Sequence, residues 1–76
     1  MTDELEVALL EAHSKDDKDQ LIGLYTIAAD RAEASGQLDG ACFFLTHAWV
    51  YALEAGDPRA AHLKARLVAY GREVET

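Results

Sequence analysis

The stretch GQLDGACFFLTHAWVYALEAG, residues 36–56, decides the fold of this chain. Between its glycines, Ala41, Phe44, Leu45, Ala48, Tyr51, Ala52 and Ala55 recur at helical spacing and make one broad apolar face. Trp49, Cys42 and Leu53 widen that face, so the polar remainder shrinks to Thr46, His47 and Glu54. A helix with so narrow a polar sector leaves too much apolar surface in water unless other helices wrap it.

Working outward from this helix, Gly56-Asp57-Pro58 supplies a stop and a start together. Glycine takes the left-handed conformation of a helix C-cap without penalty, Asp57 offers a carboxylate to cap the next helix, and proline fits a first helical position. The helix that follows is expected over 58–73. It carries two apolar stripes, Leu63, Leu67, Tyr70 and Val74 on one side and Ala61, Ala65 and Val68 on the other. In the other direction Gly36 stops a helix expected over 18–35, whose Leu21, Leu24, Tyr25, Ala28, Ala32 and Ser35 share a face. Before it, the polar run KDDKD reads as a linker in which Asp16 or Asp17 can cap the helix, and residues 3–13 place Leu5, Ala8, Leu9 and Ala12 on one stripe. The central helix spans about 39–55. No segment shows the strict alternation of a half-buried strand. The expectation is a single all-α domain: a four-helix antiparallel bundle or helical hairpin stack, with the first helix shorter.

A chain of 76 residues is near the lower limit at which one hydrophobic core outweighs chain entropy, which brings self-association into play. The lone Cys42 cannot form an internal disulfide and lies within the apolar run, as a buried thiol in a reducing compartment would. The start lacks a basic n-region and the apolar runs are too short to cross a bilayer, so a cytoplasmic location is the expectation. A formal net charge of -7 argues against a nucleic-acid partner, whose phosphates demand a basic face. Residues 1–20 hold seven acids against Lys15 and Lys18, whereas 57–76 hold Arg59, Lys64, Arg66 and Arg72 against Asp57, Glu73 and Glu75. This head and tail either attract each other, within one chain or between two, or form ordinary solvated faces.

Gly36 and Gly56 lie 20 residues apart, and the chain laid over itself at that offset keeps register. Met1, Leu21, Ala41 and Ala61 align, as do Leu5, Tyr25, Leu45 and Ala65, then Ala8, Ala28, Ala48 and Val68, then Ala12, Ala32 and Ala52, until Arg72 breaks the last column. Small residues in these columns let neighbouring helices approach closely. The run Tyr25, Ala28, Ala29, Ala32, Gly36, Leu38, Ala41, Leu45 and Ala48 resembles the spacing of a tetratricopeptide repeat, a family of paired antiparallel helices. Tyr25 stands where that family usually has Trp, Ala32 where an aromatic is expected, and Leu53 where its closing Pro would fall. The resemblance covers about half the chain; it implies a helical hairpin stack and, by analogy, protein or peptide binding. The stretch ACFFLTHAWVYALEAGDPRAA is also similar to short bacterial proteins of unassigned function.

Candidate chemistry is sparse. His47 and His62 flank the turn at Asp57, but antiparallel packing offsets them axially by roughly 7–8 Å at ~1.5 Å per residue, a poor start for shared metal coordination. Cys42 lacks a base or an electropositive setting, the Asp16, Asp17 and Asp19 run lacks the glycine and spacing of a calcium loop, and the five glycines are scattered singly. Tyr25, Tyr51 and Tyr70 either line a pocket or belong to the core. No catalytic residue, cofactor or metal is expected. Phe43 and Val50, in contrast, fall in the narrow polar sector beside His47 and Glu54. Three accounts cover them: the first helix folding back, a second copy of the chain, or another protein. The expected function is a non-enzymatic interaction or self-association module using Phe43, His47, Val50 and Glu54. The alternative is a small-ligand or metal-binding domain built on His47, His62, Cys42 and the tyrosines.

Overall fold

The structure, a computed structural model, describes residues 3–72. It contains four helices: α1 (Glu4–Lys15), α2 (Lys18–Ala34), α3 (Leu38–Ala55) and α4 (Arg59–Ala69). Among the described residues there is no strand, and no helix is long and apolar enough to cross a membrane. α1, at 12 residues, is shorter than α2 and α3, at 17 and 18.

Each helix begins and ends for a local reason. Asp3 caps α1 by accepting from the Leu5 amide at 3.0 Å, and Asp17 caps α2 by accepting from the Gln20 amide at 3.2 Å. Asp57 caps α4: its Oδ1 accepts from the Arg59 amide at 2.9 Å and its carbonyl from the Ala60 amide, so Pro58 is a residue earlier than the helix proper. The first three helices end alike. Asp16, Gly36 and Gly56 each adopt positive φ, and the next amide, of Asp17, Gln37 or Asp57, donates to the carbonyl of Ala12, Ala32 or Ala52. These are Schellman-type closures, and they recur at the 20-residue spacing of the sequence repeat. α4 departs from it. The expected end at residue 73 is corrected to Ala69: Gly71 takes φ 72° and the Arg72 amide closes on the Leu67 carbonyl, ending the helix before the apolar pattern does. Glu73 and Val74 lie outside the described residues.

Packing follows chain order, α1 on α2, α2 on α3 and α3 on α4, in a slab with Cα extents of 37 × 30 × 12 Å. The helices therefore form an open bundle, a stack of antiparallel hairpins. α3 is its centre: Ala41, Leu45, Ala48 and Ala52 are wholly buried. Leu45, Ala48 and Ala52 join Ile22 and Ala29 of α2 and Leu63 and Leu67 of α4 in the core, with the Cys42 thiol also buried. The alanines set the close approach, and the leucines and isoleucine fill what remains. Side chains of α4 also reach α2: Arg59 pairs with Asp19 at 2.6 Å, Arg66 with Asp30 at 2.8 Å, and the Tyr70 hydroxyl donates to Glu33. Much of the basic tail, Arg72 with Asp39 included, is thus paired within the chain with carboxylates that are exposed, where such pairs contribute little.

Candidate interaction face on the central helix

The outward sector of α3 is what the core leaves over. With Ala41, Leu45, Ala48 and Ala52 turned inward, the ~100° step per residue sends Phe43, His47, Val50 and Glu54 to the opposite side. Phe43 is 57% exposed and Val50 42%, His47 is half-buried and Glu54 exposed. α1 lies on α2 and does not fold back over this sector, so the first of the three accounts of Phe43 and Val50 is overturned. The reason is register: Ala12 of α1 is buried by the hairpin with α2, and the two-residue turn at Asp16–Asp17 is too short to carry α1 further across.

The rings form a continuous strip. Phe43 and His47 have centroids 4.5 Å apart, and His47 lies 5.1 Å from Tyr25 of α2. Tyr25 stacks on Tyr51 at 5.9 Å, and His13 of α1 meets both tyrosines edge-on at 5.8 and 6.0 Å. His47 Nδ1 is 3.0 Å from the Phe43 carbonyl oxygen, so that nitrogen carries the proton and donates. His13 Nε2 and the Tyr25 hydroxyl share a hydrogen bond of 2.9 Å. Burial, helped by the neighbouring Tyr51, raises the Tyr25 hydroxyl above its ordinary pKa, keeping it neutral. Two shallow depressions flank the strip. One of about 440 Å³ is lined by Asp39, Cys42, Phe43, Thr46, His47 and Arg72, the other of about 210 Å³ by Thr46, His47, Val50, Tyr51 and Glu54.

All four residues expected to bind a partner thus stand on one face. Sequence reasoning missed His13, which the hairpin brings to Tyr25; the short turn between α1 and α2 was the signal available for it. Of the three tyrosines weighed as pocket lining, Tyr25 and Tyr51 come together, whereas Tyr70 turns to Glu33. That bond holds the Tyr70 hydroxyl above its usual range, and the same bond holds the Glu33 carboxyl below its own. His62 is exposed on α4 and Cys42 buried under α3. Among the described residues no three His, Cys, Asp or Glu side chains converge as a metal site would require.

Comparison of the chain with known protein families, with curated proteins and with solved structures gives no match.

Proposed function

We propose that this chain is a non-enzymatic interaction module that docks a protein, a helical segment or a second copy of itself through Phe43, His47, Val50 and Glu54. The observation that carries the reading is Phe43. A large ring left 57% exposed, held at 4.5 Å against His47 and continued by Val50, is apolar surface of the kind that marks a contact with another molecule. Glu54 adds to it: it lies in the last turn of α3, which holds no basic residue, where the helix dipole disfavours an anion and a cationic partner group would relieve it. The hairpin stack and the resemblance to tetratricopeptide repeats favour the same role by analogy.

The test is solution mass against concentration for the native chain and for Phe43→Glu. A closed dimer that Phe43→Glu dissociates with helicity intact supports this face. If Phe43→Glu unfolds the chain, Phe43 is core and the reading falls. A small-ligand seat is the second reading, favoured by the convergence of His13, Tyr25, His47 and Tyr51; a ligand there raises the melting temperature of the native chain and not of Tyr25→Ala.

A further inference from the structure

The 20-residue register allows each helix to be compared with its neighbours position by position. In α2, Leu21 and Ala28 are buried, and in α3 Ala41, Leu45 and Ala48 are buried, because each of these helices has a neighbour on both sides. In α4 the same columns hold Ala61 and Ala65, both exposed, and Val68, half-buried. Across α2 the columns lie in a groove shared by two helices: Ala28 and Ala32 sit between Leu5 of α1 and Phe44 of α3, and Tyr25 between His13 and Tyr51. Across α4, among the described residues, α3 is the one helix packed against it, and α2 reaches it only through side-chain pairs. Leu53, the α3 counterpart of His13, is accordingly 55% exposed where His13 touches the next odd-numbered helix. The opposite end of the slab shows the complementary deficit. Leu5 and Ala8 of α1 are only half-buried, whereas their counterparts Leu45 and Ala48 are fully enclosed between α2 and α4.

We infer that α1 of a second copy seats on α4 as α3 seats on α2, so that copies stack head to tail. Three observations select this occupant. In the alternation of the stack an odd-type helix would come next to α4, and α1 is the odd-type helix with an unfilled side. Helix lengths match in pairs: α2 and α3 have 17 and 18 residues, α4 and α1 have 11 and 12. Charge also changes where the neighbour does. Arg72 replaces Ala32 in its column and pairs with Asp39 of its own α3, and in the incoming α1 the position of Phe44, which lines one depression with Ala32, is held by Glu4, so Arg72 would be shared between Asp39 and the Glu4 of the next copy. Both residues are exposed in the single chain. The contact is heterologous and does not close on itself, so growth continues beyond a dimer.

The experiment is sedimentation of the full chain over a wide concentration range, with and without Val50→Glu. Val50 belongs to the α3 face but, unlike Phe43, does not line the depression that holds Arg72, so the two readings fail separately. Mean mass is expected to climb past twice the monomer in both chains and to fall modestly with added salt. Ala65→Arg, at an exposed position, holds the chain at monomer mass with unchanged helicity. Arg72→Glu and Glu4→Lys each stay monomeric alone, and their equimolar mixture regains growth. A native chain that remains monomeric, a mass that plateaus at the dimer, or growth that survives Ala65→Arg overturns the inference. So does a mixture of the charge variants that fails to associate while each remains helical.

Discussion

Leu45→Ala puts the central role of α3 at risk most directly. Leu45 is wholly buried and sits in a core with Ile22, Leu63 and Leu67, surrounded by Ala29, Ala48 and Ala52. Truncation removes the transfer free energy of the lost carbons and leaves a cavity. Alanines have no side chain to swing into that space, and the backbones they hold close cannot approach further, so relaxation is poor. The expected loss is therefore about 3–5 kcal/mol, the upper part of the range for buried leucines. A chain of this size has roughly 4–11 kcal/mol in total at ~0.05–0.15 kcal/mol per residue. The variant should sit at or near the edge of folding. Urea titration followed by circular dichroism at the helix minimum measures it, with the slope on denaturant unchanged. In the same assay Leu10→Ala, 63% exposed on α1, should stay within about 0.5 kcal/mol of the native chain. Losses of similar size in the two variants, or a loss below ~1.5 kcal/mol for Leu45→Ala, would refute the burial argument.

Other outcomes follow from single residues. Asp57 is held down to about 2, first by hydrogen bonds from the Arg59 side chain and then by the Arg59 amide. A carboxyl depressed in the folded state stabilises above its unfolded pKa near 3.8 and loses that contribution as pH falls through about 2. Thermal melts between those limits should fall with acid more gently in Asp57→Asn than in the native chain. Gly56, at φ 63°, closes α3, so Gly56→Ala should cost about 1–2 kcal/mol although no side chain stands in the way of a β-carbon. A thiol reagent should modify the buried Cys42 slowly in the native chain and rapidly in Leu45→Ala, whose opening is easier; equal rates would place the thiol at the surface.

The local signals were legible because they are local. The stop at Gly56, the caps at Asp17 and Asp57 and the four-helix pattern each depend on a few neighbouring residues, and the structure keeps them. The end of α4 was misplaced because Val74 continued the apolar spacing while Gly71 overrode it; a left-handed glycine outweighs periodicity when its closing hydrogen bond forms. Ile22 and Ala29, both fully buried, were left off the expected face of α2 because a helix touched on two sides has two buried stripes, and one stripe is all that a single period reveals. His13 entered the ring strip through a contact across twelve residues of chain, which no spacing rule describes.

By itself, then, the sequence determined to within a residue where each helix begins, the stops at Gly36 and Gly56, the alanine and leucine stripe of α3 that turns inward though not that Leu53 and Ala55 stay exposed, and the 20-residue register, because these are consequences of backbone conformation and side-chain period. Which helix covers which was decided by tertiary packing. Whether Phe43 and Val50 lay beneath α1 or faced outward depended on how a two-residue turn and a column of alanines set α1 against α2. That balance of close approach against reach exists only once the helices are together.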